Sequence, residues 1–285
     1  MITSIVVFDI HFWHVLIAAG IGSAFKPVLF WGHGLGRSRM GQALRRICLL
    51  WGKGVIVYGD AGRRQCTDAG VSADRVFVAR NTQVVPGYAD SSNEEKKYFL
   101  FVGRLHKRKR LDVLLKAYAD YVGSVTAPRQ DLKIVGSGAI SESLMKLAQE
   151  LGVASHVCFV PGTTDPEELA KIFRHAIAYV SPGHVGLGVL HSFAFGVPVV
   201  TFCLDTHAPE FENVVHDVNG LVLSGSQSAL ADSLLELAED RRMSMRLGKE
   251  AFKTYTEKAH PDQMVATFVE ALQFAKTGKR VISGE

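Results

Sequence analysis

Two cations follow a short apolar run near the middle of the sequence, in the segment FVGRLHKRKRLDVLLKAY. Gly103 comes directly after the run 98–102, Arg104 is next, and Lys109 opens a pattern of helical spacing. Backbone N–H groups at a helix start and two charge-assisted hydrogen bonds suit a pyrophosphate group. The alternative is a solvated basic turn, because five of the seven residues 104–110 are Lys or Arg. The residue types alone leave both interpretations open.

A second glycine-rich turn lies in SPGHVGLGVLHSFAFGVPVVT, residues 181–201. Gly183, Gly186 and Gly188 would let a ligand approach the backbone amides at the start of the helix that follows. One such turn often reflects only close packing of a strand against a helix. Two in the same domain favour a ligand crevice, because the carboxyl ends of parallel strands meet at one edge of a sheet.

The elements that would position these turns alternate between short β-branched runs and amphipathic helical patterns. Leu111, Leu114, Leu115 and Tyr118 keep helical spacing after the first turn. Strands are predicted at 28–31, 55–58, 76–79, 98–102, 132–135, 157–160, 177–180, 197–201 and 221–223. Strands that alternate with helices favour a parallel sheet covered on both faces, and the sequence therefore predicts an α/β fold.

The composition bounds the class of protein. The 285 residues are 47% hydrophobic and 21% charged, which suits a soluble chain of two domains and excludes a disordered one. The four cysteines form no CxxC pair, which favours reduced thiols of a cytoplasmic protein over a disulfide framework or a zinc site. The apolar stretch 2–30 is interrupted by Asp9, His11 and His14 and lacks signal-peptide features, so it is predicted to be core.

A polar, turn-rich stretch at 86–97, PGYADSSNEEKK, is the best predicted domain boundary. It separates a partial first domain over residues 1–94 from a second domain over residues 95–260. One amphipathic helix within 261–285 is predicted to pack back toward the first domain.

The net charge of +4 is concentrated in the first domain, which carries ten cations and six carboxylates. The helical pattern 38–51 places Met40, Leu44, Ile47 and Trp51 on one face and arginines on the other. Such a helix could lie on an anionic membrane at the inner face of the cell, but an apolar face buried in the core is the favoured interpretation. A nucleic-acid partner is not expected, because the basic segment has no interleaved aromatic residues and no known reading motif.

From residue 98 to residue 223 the sequence resembles the donor-binding half of glycosyltransferase family 4, the retaining transferases of GT-B fold. Five stretches follow that family's order and spacing: FVGRLHKRKRLDVLLKAY, LKIVGSG, HVCFVPG, GLGVLHSFAFGVPVV and APEFENVVHDVNGLVL. The resemblance implies two Rossmann-like domains of GT-B type, the N-terminal one incomplete. It also implies sugar transfer from a UDP- or GDP-linked donor to a glycan or lipid-linked acceptor in cell-surface polysaccharide synthesis, without a metal or other cofactor.

The same resemblance assigns roles to individual residues. Arg104 and Lys109 take the family's phosphate-contacting positions, and together with His33 they form the expected catalytic set. Besides these two cations, the expected donor-binding set is Gly103, Gly136, Gly183, His184, Gly186, Leu187, His191 and Glu210.

The sequence departs from the family at two of these positions. The family usually carries two glutamates eight residues apart, one for the donor sugar and one for the ribose hydroxyls, and the matching residues are Gly183 and His191. The imidazole of His191 could bond a ribose or a phosphate, or it could pack against its neighbours. His184 is a weaker candidate for the lost sugar contact.

The first domain resembles only the second half of the family's acceptor domain. The matching stretches are KPVLFWGHGLGR, which contains His33, and GVIVYGDAGRRQCTDAGVSADRVFVARNT, which contains Asn81. A full enzyme would begin about one hundred residues earlier, roughly one domain of chain. The expectation is a truncated or abbreviated enzyme, and the alternative is a catalytically impaired nucleotide-sugar-binding pseudoenzyme or fragment.

Overall fold

The computed structural model describes residues 5–8, 27–33, 46, 47, 49–125 and 129–280. The chain forms two compact units, residues 1–82 with 260–285 and residues 83–259. The strands are β1 (Ile5–Phe8), β2 (Val28–Gly32), β3 (Gly54–Val57), β4 (Val76–Val78), β5 (Tyr98–Val102), β6 (Asp131–Val135), β7 (Val157–Val160), β8 (Ala176–Val180), β9 (Val199–Phe202) and β10 (Gly220–Leu223). The helices are α1 (Asp60–Asp68), α2 (Leu111–Ser124), α3 (Ser141–Glu150), α4 (Pro166–Arg174), α5 (Gly188–Ala194), α6 (Gln227–Glu239), α7 (Arg241–Thr254) and α8 (Pro261–Thr277).

The second unit begins at Gln83, earlier in the chain than the predicted boundary. The polar stretch 86–97 is the reason, because its backbone is bonded within that unit. The amide of Ser91 donates to the carbonyl of Phe195 over 3.3 Å. The amide of Ala89 donates to the carbonyl of Ala194 over 3.1 Å. Composition marked this stretch as a linker, but its hydrogen bonds make it part of the second unit.

The sheet of the first unit has the order β1-β2-β3-β4, and every pair is parallel. One face packs against α8, where Leu29, Ile56 and Phe77 share a core cluster with Phe274. The other face packs against α1, where burial raises the pKa of the Cys66 thiol to about 11. Both faces of the sheet are therefore covered, which is the arrangement that parallel strands require.

The sheet of the second unit has the order β10-β9-β8-β5-β6-β7, and it is also parallel throughout. The chain runs outward from β5 to β7, then crosses to β8 and runs outward to β10 on the other side. The order therefore reverses between β5 and β8. In open α/β sheets, ligands bind outside the carboxyl ends of the strands at such a point. The two glycine-rich turns follow these two strands.

The α/β fold class and all nine predicted strands are confirmed, each strand within two residues of its predicted bounds. Strand β1 is additional, because the apolar stretch 2–30 was predicted only as core. Most of the predicted helix 38–51 lies outside the described residues. The described part of this segment is helical at Arg46, Ile47, Leu49, Leu50 and Trp51. Within the described part of the chain, no helix is long and apolar enough to cross a membrane.

Candidate functional site

The candidate site lies where the strand order reverses in the second unit, and glycines follow two neighbouring strands there. The amide of Gly103 donates to the carbonyl of Val135 over 2.9 Å, and the amide of Gly136 donates to Val160 over 2.9 Å. The φ angles of the two glycines are 148° and 157°, in the region that favours glycine. A Cβ atom on Gly136 would overlap the carbonyl oxygen of Gly103. The close approach of the two turns therefore requires glycine.

Two adjoining cavities open over these glycines. One, of about 510 Å³, is lined by Gly103, Arg104, Gly136 and residues 162–164. The other, of about 360 Å³, is mainly apolar and reaches His191 on α5. Gly103 lines both cavities, so they form one continuous crevice along the carboxyl ends of the strands.

A single turn of 3-10 helix, Lys107–Lys109, packs against the loop that follows β8. The amide of Gly183 donates to the carbonyl of Lys109 over 3.1 Å, and the amide of His184 donates to that of Arg108 over 2.9 Å. The Nζ atom of Lys109 donates to the carbonyl of His184 over 2.6 Å. Burial, and then the charge of Arg108, lower the pKa of Lys109. An ammonium group has three donors, so this bond leaves Lys109 able to bind an anion.

Gly183 has no room for a side chain. It is buried, and a Cβ atom there would overlap the backbone of Arg108 and Lys109. The contact between the two turns is therefore the physical reason that no glutamate fits at this position. The amide of Gly183 is itself bonded to Lys109, so its observed role is to hold the two turns together.

His191 lies on α5 and faces the apolar cavity. Its ring stacks on Phe173, with 5.9 Å between the ring centroids and 12° between the planes. Burial lowers the pKa of His191, and a hydrogen bond to the backbone of Leu187 partly offsets this effect. The imidazole therefore packs against a neighbour and also faces the cavity, and its contact with a ribose or a phosphate stays a prediction.

His207, which sequence reasoning missed, holds the second glycine-rich turn in place. Its Nδ1 atom accepts a hydrogen bond from the amide of Val185 over 3.1 Å. The proton must then be on Nε2, which donates to the carbonyl of Phe202 over 2.8 Å. The ring of His184 lies nearly parallel to that of His207, with 6.4 Å between centroids. Burial is the largest effect on the pKa of both histidines and lowers it.

Glu210 is brought to the start of α5 by the 3-10 turn Pro209–Asn213. Its side chain is buried, and a carboxylate oxygen lies 4.0 Å from the position that a Cβ atom on Gly186 would take. Leu187, which follows Gly186 in the chain, is 44% exposed. The Gly-Leu turn and the acidic loop therefore lie side by side.

Arg104 is exposed and His33 is exposed, but they belong to different units. His33 follows β2 in the first unit, where its ring lies 4.7 Å from that of Tyr58. Every other site residue named from the sequence lies in the second unit, and the role of His33 stays a prediction. Among the described residues, no group of three or more His, Cys, Asp or Glu side chains could hold a metal ion.

Residues 89–254 match the family described as Glycosyl transferases group 1. The match covers more than half of the chain and includes both glycine-rich turns and the acidic loop. The chain therefore belongs to this family of glycosyl transferases, and the resemblance stated from the sequence is confirmed.

Two curated relatives are similar to more than half of the chain. A GDP-mannose-dependent alpha-(1-6)-phosphatidylinositol monomannoside mannosyltransferase of Mycobacterium tuberculosis is 31% identical over 189 residues, which are 63% of this chain and 48% of the relative. A D-inositol 3-phosphate glycosyltransferase of Thermomonospora curvata is 36% identical over 166 residues, covering 54% of this chain and 37% of the relative. The chain thus spans about half the length, or less, of the curated relatives it matches.

Solved structures share the fold of this chain. The Anabaena protein HepE in complex with UDP has a TM-score of 0.73 at 18% identity, covering 94% of this chain and 78% of that chain. A glycosyltransferase from Rickettsia africae has a TM-score of 0.75 at 13% identity, covering 96% of this chain and 78% of that chain. The predicted fold of GT-B type is therefore confirmed.

Proposed function

We propose that the second unit binds a nucleotide sugar, with the donor diphosphate over Gly103 and the nucleoside in the apolar cavity beside His191. The observation that carries this proposal is the continuous crevice at the reversal of strand order, with glycines and Arg104 along it. A cation beside glycines that leave room for close approach favours an anionic group. Lys109 adds a second cation on the turn that leads into α2.

In the proposed reaction, the bond between the anomeric carbon of the sugar and the diphosphate breaks, and negative charge builds on the departing diphosphate. Arg104, Lys109 and the amide of Gly186, directly before Leu187, would stabilise that charge, an effect of roughly 10²–10³ in rate for each donor. Transfer is proposed to retain the anomeric configuration, as the family resemblance implies. The two cations supply the positive charge at the phosphates, so the proposal invokes no metal or other cofactor.

The proposed donor is a UDP- or GDP-linked sugar, and the proposed acceptor is a glycan or a lipid-linked molecule of cell-surface polysaccharide synthesis. The names of the relatives support this range: one uses GDP-mannose on a phosphatidylinositol mannoside, and HepE was solved with UDP. The chain spans less than half of that mannosyltransferase, so donor, acceptor and transfer are proposals for the protein as a whole.

A second candidate function is binding of a nucleotide sugar without transfer, and one observation favours it. The backbone contact at Gly183 excludes a glutamate there, and His191 takes the place of the other glutamate. Binding through phosphate would survive the loss of both carboxylates. Positioning of the sugar would be lost with the carboxylates, and such positioning contributes a large part of the rate of transfer.

Calorimetric titration of the full chain with UDP, GDP and their nucleosides tests the binding proposal. We expect the diphosphates to bind at least about tenfold more tightly, because a charge-assisted hydrogen bond contributes about 1.5–3 kcal/mol. Equal affinity for the nucleosides would contradict the phosphate site. Donor hydrolysis and sugar transfer are measured on the same preparation, and binding without turnover of any UDP- or GDP-sugar would favour the second candidate.

A further inference from the structure

Three apolar side chains stand in solvent on one helical turn of the first unit. Ile47, Leu50 and Trp51 are 48%, 39% and 65% exposed. Their spacing of three and four residues puts them on one face of the helix. Leu49, between them, is buried and shares a core cluster with Phe30 of the sheet. The prediction that Ile47 and Trp51 pack into the core is therefore wrong: the turn is anchored through its other face.

Hydrogen bonds to other parts of the unit hold this helical turn at both ends. The guanidinium of Arg75 donates to the carbonyl of Leu50 over 3.1 Å and also to the carbonyl of Gly52. These are carbonyls that the end of a helix leaves without intrahelical partners. The Nε atom of Arg46 donates to the carbonyl of Ala69 over 2.7 Å. The exposed apolar face is therefore presented on a backbone held by long-range hydrogen bonds.

Positive charge accompanies the exposed face. Arg46 precedes Ile47, and Lys53 follows Trp51 by two residues; both cations are exposed. Residues 46–75 contain five Arg or Lys and three Asp. One of those three carboxylates pairs with a cation outside the segment, in the bridge between Asp60 and Arg80. An apolar face with an indole and flanking cations matches the boundary of an anionic bilayer, where acyl chains and headgroup phosphates lie a few ångströms apart.

A second exposed apolar face, among the described residues of the first unit, has a different charge. On α8, Val265, Val269 and Leu272 are 61%, 46% and 37% exposed. The ionisable residues of α8 are two carboxylates and one ammonium: Asp262, Glu270 and Lys276. Apolar contact alone would not distinguish this face from the one at Trp51, whereas an anionic surface would attract the latter more strongly. The α8 face is therefore a matched control.

We propose that the helical turn ending at Trp51 docks the chain on an anionic lipid surface. Ile47, Leu50 and Trp51 enter the acyl boundary, and Arg46 and Lys53 meet the headgroup phosphates. These residues lie in the first unit, outside the proposed donor site. A variant can therefore lose lipid binding and keep donor binding, or the reverse, so the two proposals are tested independently.

The test incubates the full chain with vesicles of phosphatidylcholine alone or mixed with phosphatidylglycerol, and measures co-sedimentation and tryptophan fluorescence. We expect binding only to the mixed vesicles, with a blue shift in emission. The chain has three tryptophans, so Trp51→Phe assigns the shift by removing it. Ile47→Ser with Trp51→Ser should weaken binding at least about tenfold. Lys53→Glu should weaken it at least about fivefold, since one cation near the surface contributes about 1 kcal/mol.

The matched control is Val265→Ser with Val269→Ser, which should leave vesicle binding unchanged. All of these side chains are exposed, so the variants should unfold within a few degrees of the parent, and thermal unfolding checks this. Equal binding to both vesicle types, no binding, or an equal loss in the α8 variant would overturn the proposal. So would a concentration-dependent increase in the mass of the lipid-free chain that Trp51→Ser abolishes, because a second copy would then cover this face.

Discussion

The two glycine-rich turns of the second unit look alike in the sequence, but they use glycine for different purposes. After β5, Gly103 lines the crevice, and a Cβ atom there would meet only the ring of Phe101 at 3.5 Å. After β8, Gly183 is buried against the backbone of Lys107–Lys109. Glycine leaves space for a ligand in the first turn, whereas in the second it lets two segments of the chain touch.

This difference explains a departure from the family pattern. The contact that excludes a glutamate at Gly183 also brings the Nζ atom of Lys109 to the carbonyl of His184. The loss of a carboxylate and the placement of a cation therefore have one structural cause. At the position where the family resemblance implies a glutamate, the chain has a backbone contact that fixes the basic turn.

The largest expected effect comes from restoring the family's glutamate. We expect Gly183→Glu to destabilise the chain by about 3 kcal/mol or more, because the new side chain overlaps the backbone of Arg108. Thermal unfolding measures the change in stability, and calorimetry with UDP or GDP measures any change in affinity. Gly186→Ala is the control, because the nearest atom to its new Cβ would be 3.7 Å away, and it should change stability by about 0.5 kcal/mol or less. A Gly183→Glu chain as stable as the parent would show that the two turns can separate.

Removal of Arg104 and removal of Lys109 should differ in their effect on the stability of the chain. Arg104→Ala should weaken diphosphate binding by about 1.5–3 kcal/mol without affecting nucleoside binding or stability, because the side chain is exposed. Lys109→Ala should reduce diphosphate affinity and also lower the melting temperature, because its bond to His184 is lost. Lys107→Ala, at an exposed position in the same turn, is the control and should do neither. Equal losses for diphosphate and nucleoside would contradict the phosphate assignment.

A smaller effect is expected at His191. His191→Phe keeps an aromatic ring against Phe173 but removes both imidazole nitrogens, so stability should fall by no more than about 1 kcal/mol, the net contribution of the bond to Leu187. Affinity for UDP or GDP should fall roughly fivefold, the equivalent of one net hydrogen bond of about 1 kcal/mol. Calorimetry together with thermal unfolding distinguishes a role in donor binding from a role in packing. Unchanged affinity together with a large loss of stability in His191→Ala would identify a packing histidine instead.

The smallest expected effect is on the pH dependence of stability. Burial lowers the pKa of His184, His191 and His207 in the folded chain. The unfolded chain then binds protons more readily, so the stability conferred by the neutral rings is present above about pH 6.5 and is lost as the pH falls below it. We expect the melting temperature to fall by roughly 3 °C between pH 7.5 and 5.5. His207→Gln, which can still donate to Phe202, should reduce that slope, and an identical slope would exclude His207 as its source.

Much of the fold and part of the site could be predicted from the sequence, because they depend on local patterns. Short apolar runs indicate strands where turns bound them, and all strands except β1 were predicted in this way. Residues 5–8 lie within the long apolar stretch 2–30, where no polar, turn-rich segment directly follows them to mark the end of a strand. The face shared by Ile47 and Trp51 was predicted correctly, but periodicity says only which residues share a face and not what that face meets.

By itself, the sequence determined the α/β class, the glycosyl transferase family, and the cations and glycines that follow β5 and β8. Each of these depends on residue order over a few tens of positions. Only the tertiary structure decided that Lys109 bonds to His184, 75 residues further along the chain, and that His207 fixes Val185 across 22 residues. Such contacts depend on the strand order β8-β5-β6, which brings distant turns to one edge of the sheet. No local pattern contains that order, because it arises from packing of the whole unit.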